Sequence, residues 1–134
     1  MISCEQIITK FMNELTAMID AWKLNSARLS EEGSEDEAIL EKIKMNVGDI
    51  FGKMLIKVWN DLCKAGAGEF ELDRLTQNYF ELLDRITAPW AEKMEKNKAH
   101  NMMEKYYIEQ IKLETAQQIR DMFLHCIHNS TQEV

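Results

Sequence analysis

Three side chains near the C-terminal end have the types and spacing from which a metal or acid–base site is built. Asp121, His125 and His128 stand at i, i+4 and i+7, one face of a helix, with Cys126 beside them. Imidazole and carboxylate together hold zinc or iron. The set therefore defines an alternative reading, a small metal-binding or hydrolytic helical protein using carboxylate and histidine side chains. A metal site in a bundle draws inward-facing ligands from several helices, with repeated Glu-x-x-His pairs, and the chain contains no Glu-x-x-His. Histidines in the last turns of a helix are also favoured by its dipole without any ligand. The expectation is a polar helix end, with no metal and no other cofactor.

The remaining chemical candidates are weaker. His100 and Glu104 form an i, i+4 pair in a polar stretch and read as a surface pair. Carboxylates three apart occur at Glu32/Glu35, Glu81/Asp84 and Glu92/Glu95. Magnesium needs carboxylates fixed on rigid walls. The first pair straddles a glycine, and the other two suit the outer faces of helices. Cys63 has Lys64 beside it, but a cysteine within an apolar helix is more often inert. Gly66-Ala67-Gly68 lacks the Lys and Ser/Thr of a phosphate cradle, and no Gly-x-Ser-x-Gly or HExxH is present. No catalytic residue is assigned.

What the sequence offers instead is surface. Gly48 and Gly52 lie at i, i+4 inside an apolar helical run, where each glycine costs about 1 kcal/mol against alanine. Two of them make a flat patch, which suits a close helix crossing within the chain or a surface where two copies meet. Trp59 lies near the same side. Nine methionines are many for 134 residues. Met94, Met102 and Met103 fall beside Trp90, Tyr106 and Tyr107, and flexible thioethers next to aromatic rings make an adaptable contact surface. The expected interface set is Gly48, Gly52, Trp59, Trp90, Met94, Met102, Met103, Tyr106 and Tyr107.

These residues need elements to position them, and the pattern is helical almost throughout, with apolar residues at three- and four-residue steps. Helix 1 is expected over about 4–29, opened by a capping box of Ser3 and Gln6. Helix 2 is expected over 35–64, with a second capping box of Ser34 and Glu37. Its apolar set, from Ile39 and Leu40 through Val47 and Phe51 to Leu62, covers more than one seam, so it should be buried from more than one side. Helix 3 is expected over about 70–87, stopped by Pro89. Helix 4 is expected to start at Pro89 and run to about 129 as one long helix, with a kink or a break near 97–101 as the alternatives to a straight rod. The fold class is all-α, an up-down four-helix bundle in one domain covering 1–134.

Composition narrows the role. The chain has 23 acidic and 16 basic residues, a net charge of −7, with 46% apolar residues. Six acids and no base occupy residues 31–41, a candidate docking site for a basic partner. No basic arm suited to nucleic acid is present. No apolar run reaches the roughly 20 residues of a membrane span. Three widely spaced cysteines without CxxC argue for reduced thiols and a cytoplasmic setting. The start lacks the basic and apolar regions of a signal peptide. The reading is a non-enzymatic interaction or regulatory protein, a homodimer, with working surfaces at 90–107 and 31–41. A binder of a hydrophobic ligand between the helices is a further possibility.

Overall fold

The structure is a computed structural model that describes residues 2–132, for residues 131 and 132 the backbone alone. Its four helices are α1 (Cys4–Glu31), α2 (Glu35–Lys64), α3 (Leu72–Ala99) and α4 (Met103–Gln132). They form an up-down bundle in which α2 touches all three others, as its broad apolar surface requires. Consecutive helices are antiparallel, so α2 and α4 run parallel and meet across the bundle.

The helix ends follow from local chemistry. The capping box of α1 is formed: Ser3 Oγ accepts from the Gln6 N–H at 3.2 Å and Gln6 Oε1 accepts from the Ser3 N–H at 2.8 Å. Three helices then end in the same device, a left-handed residue that lets two N–H groups turn back onto orphan carbonyls. At Gly33 (φ 84) the Gly33 and Ser34 N–H groups donate to Ser30 and Leu29. At Gly66 (φ 83) those of Gly66 and Ala67 donate to Cys63 and Leu62. At Asn101 (φ 56) those of Asn101 and Met102 donate to Lys98 and Asn97.

Two expectations about helix ends are corrected. The capping box of Ser34 and Glu37 does not form, and Ser34 makes no side-chain cap. Only residues 32–34 join α1 to α2, so Ser34 must close α1 with its N–H while opening α2. Its ψ of 63° is far from the extended value an N-cap side chain needs. The larger correction concerns Pro89, which lies inside α3 and does not end it. A mid-helix proline costs about 3 kcal/mol through a lost hydrogen bond and a clash. Here the carbonyl deprived of a partner belongs to Arg85, an exposed position where water can reach it. The residues on the opposite face hold the helix together. Trp90 stacks on Phe51, with ring centroids 6.4 Å apart and an interplanar angle of 11°. The Lys112 ammonium sits 5.5 Å over the same indole and also pairs with Glu109 at 3.2 Å. Helix 4 therefore starts at Met103. The break expected near 97–101 is the α3–α4 turn.

The core occupies one end of the bundle. Phe11, Tyr79 and Phe123 meet edge-on, with centroids 5.2 to 6.4 Å apart, and all three are fully buried. The Tyr79 hydroxyl donates to the Phe51 carbonyl at 2.9 Å, which satisfies the one polar atom of that cluster. Toward the other end the core thins. No residue of α3 beyond Leu83 is fully covered, and within residues 35–46 of α2 only Ala38 is.

Gly48 and Gly52 lie under α1. A Cβ on Gly48 would stand 2.9 Å from Ile19 Cγ1 and 3.2 Å from the Trp22 ring. A Cβ on Gly52 would stand 3.2 Å from the Met12 methyl. The glycine face makes the α1–α2 crossing inside one chain, so the self-association surface expected from it is not open to a second copy.

Candidate interaction site

The up-down order places the α1–α2 turn and the α3–α4 turn at the same end of the bundle, the end where the core is thin. The acidic segment 31–41 and the first turns of α4, with Tyr107, thereby become neighbours. They meet in a groove of about 300 Å³ between the first turns of α2 and α4, lined by Asp36, Ile39, Leu40, Glu104, Tyr107 and Ile108. Each helix contributes an acid followed three and four residues later by two apolar side chains, which puts all three on one face. Ile39 is 49% and Tyr107 53% exposed, and Met102 (48%) and Met103 (41%) are exposed at the α3–α4 turn. Tyr106 packs its ring edge against Tyr107 at 5.4 Å.

The expected interface residues separate accordingly. Met102, Met103 and Tyr107 are exposed at this end, and Met94 and Tyr106 are half-buried. Trp59 and Trp90 lean on the core, and Gly48 and Gly52 are covered by α1. Sequence reading missed Ile39, Leu40 and Ile108 as surface because it assigned them to core stripes. The signal that could have found them is the repeated pattern acid-x-x-apolar-apolar at the start of two helices.

The histidine and carboxylate candidates do not converge. Asp121, His125 and His128 are exposed on the outer face of α4. Asp121 accepts from Gln117 at 2.9 Å, and His125 Nε2 lies 3.0 Å from the Asn129 amide. No group of three His, Cys, Asp or Glu side chains among the described residues could hold a metal ion. His100 and Glu104 are both exposed. Asp84 pairs with Arg120, whose guanidinium also stands over Phe80 at 5.4 Å. No helix among the described residues is long and apolar enough to cross a membrane.

The three cysteines are free. Cys4 and Cys126 are buried, and Cys63 is exposed. Burial pushes the Cys126 thiol up to about 12, and the Glu14 carboxylate that it meets at 3.2 Å adds to the effect. Burial also raises Cys4, with Cys63 and Glu71 adding to it, and burial raises Tyr79. Groups raised in the folded state stabilise it fully below their unfolded value and lose that contribution as pH climbs through the folded value. The urea midpoint is thus expected to hold between pH 7 and 8.5 and to fall above about pH 9. A thiol reagent at pH 8 should modify one thiol, Cys63, in the native chain and all three in urea. A native chain with two or three fast thiols, or a midpoint unchanged at pH 11, contradicts this assignment.

Comparison with known proteins finds no family model, no curated protein and no solved structure that matches the chain.

Proposed function

We propose that the chain is a non-enzymatic protein–protein interaction module whose working surface is the end of the bundle formed by the α1–α2 and α3–α4 turns. The observation that carries this reading is the joining of two otherwise separate sequence features, acids and apolar side chains, in one exposed groove. Soluble proteins rarely leave large apolar side chains grouped at the surface unless something covers them. A thin core at the same end means that a docking partner adds packing the chain lacks. The free thiols suit a reducing cytoplasmic setting.

The test is site-specific cross-linking in the native host. Tyr107 replaced by the photoreactive benzoylphenylalanine should give a discrete protein adduct, whereas the same group in place of Asp121, exposed on α4 away from the groove, should not. Identical adduct patterns from the two positions, or none from either, would remove the reading. Self-association is a separate part of the proposal and must use residues other than Gly48 and Gly52. Sedimentation velocity at tens of micromolar decides it: a species of twice 15.7 kDa supports a homodimer, and a single-chain species removes it while leaving the docking end intact.

A further inference from the structure

Resting on that reading, we infer that the partner presented to this end is an amphipathic helix with an apolar stripe and Lys or Arg on its flanks, lying along the α2–α4 groove. The groove lies between two parallel helices, each offering apolar side chains at three- and four-residue spacing. A third helix inserts its own ridge of side chains into such a seam. The chain has no strand whose edge could pair with an extended peptide among its described residues. Leu40 and Ile108 form the half-buried floor, and Ile39 and Tyr107 form exposed walls.

The charge argument selects the flanks. The lining holds two carboxylates, Asp36 and Glu104, and no cation. Glu35 and Glu37 bracket Asp36, and Glu31 and Glu32 close α1, all exposed, with Glu32 paired to Arg28 at 3.2 Å. The helix dipoles at this end oppose one another, two N-termini against two C-termini, so the side chains set the local field. Lys105 lies beside Met102, Met103 and Glu104 at the α3–α4 turn, outside the lining of the groove. A second copy of this chain would bring the same acids together, so the complement is a basic helix from a different chain. Such complementarity acts mainly on encounter rate and selectivity, while the apolar anchors supply affinity.

The experiment uses the full chain and two synthetic helical peptides of about 16 residues, four turns or more. They share one leucine stripe. One carries lysine and the other glutamate on the flanks. Fluorescence anisotropy should show saturable binding of the lysine peptide and at least tenfold weaker binding of the glutamate peptide. Ile39→Glu should weaken the lysine peptide at least tenfold. Because Ile39 is exposed, circular dichroism of that variant should match the parent. Asp36→Lys with Glu104→Lys should reverse the order of the two peptides. Equal binding of both peptides, no saturable binding, or binding indifferent to Ile39→Glu and to the charge reversal would overturn the inference. If the peptides fail while the adduct at position 107 persists, the docking end stands and the basic helix is wrong. If both fail, the two readings fall together.

Discussion

Truncating Phe123 to alanine is expected to cost about 3–5 kcal/mol, the range for a fully buried aromatic ring. Phe123 is fully buried, and its ring meets Phe11 at 5.3 Å, Tyr79 at 5.2 Å and Phe80 at 5.9 Å. It therefore joins α1, α3 and α4 at the point where the core is densest. Removing it leaves a cavity bordered by three rings, which are too stiff to collapse into it fully. Against a domain stability of roughly 5–15 kcal/mol, a loss of this size lowers the thermal midpoint by roughly 11–18 °C. Phe123→Leu should recover more than half of the loss by refilling most of the volume. Urea or thermal melts followed by circular dichroism read both variants. A Phe123→Ala midpoint within about 3 °C of the parent would mean that the aromatic cluster does not hold the helices together.

Gly48→Leu is the second large effect, a net loss of about 2–3 kcal/mol from overpacking. The direction is not given by helix propensity, which favours any replacement of a mid-helix glycine by about 1 kcal/mol. It is given by the crossing. A Cβ at Gly48 already meets Ile19 at 2.9 Å, with the Trp22 ring on its other side, so a larger side chain must push α1 off α2. Ile19 is β-branched and stiff at its first torsion, and cannot swing aside as an unbranched chain would. Gly52 provides the contrast. A Cβ there would meet the terminal methyl of Met12 at 3.2 Å, the end of an adaptable side chain, and a terminal methyl of Leu15 at 3.3 Å. Gly52→Ala should be neutral or slightly stabilising. A Gly48→Leu protein as stable as the parent would show that α1 and α2 do not cross at this point.

These two cases also show what the sequence made legible. Glycines at four-residue spacing announced a close approach, and the apolar stripes of α1 and α2 with Gly33 and Gly66 located both helices to within two residues. Those signals are local: a left-handed residue is written into the chain by glycine itself. The α3–α4 boundary was misplaced because its two signals were ambiguous. Pro89 usually stops a helix, but here the proline lies at an exposed position and Trp90 stacks on Phe51, a contact between residues far apart in the chain. The true stop is Asn101, a residue that takes the left-handed conformation only where the surrounding bonds favour it. The groove was hidden for a related reason. Its two halves lie more than 60 positions apart, and periodicity within α2 or α4 cannot say that their first turns stand side by side. Ile39 and Ile108 fit a core stripe, and only the thinness of the bundle at that end leaves them near the surface.

The Cys4 N–H donates to the Glu69 carbonyl at 2.7 Å, which pins the start of α1 to the α2–α3 connection. With four antiparallel rods, α4 finishes at that same base. A tether fused through either extremity, whether a fluorophore, a bead or a neighbouring polypeptide, therefore grips the molecule by its foot. The opposite pole would then stand outward like the head of a mooring post, unobstructed by its own anchorage.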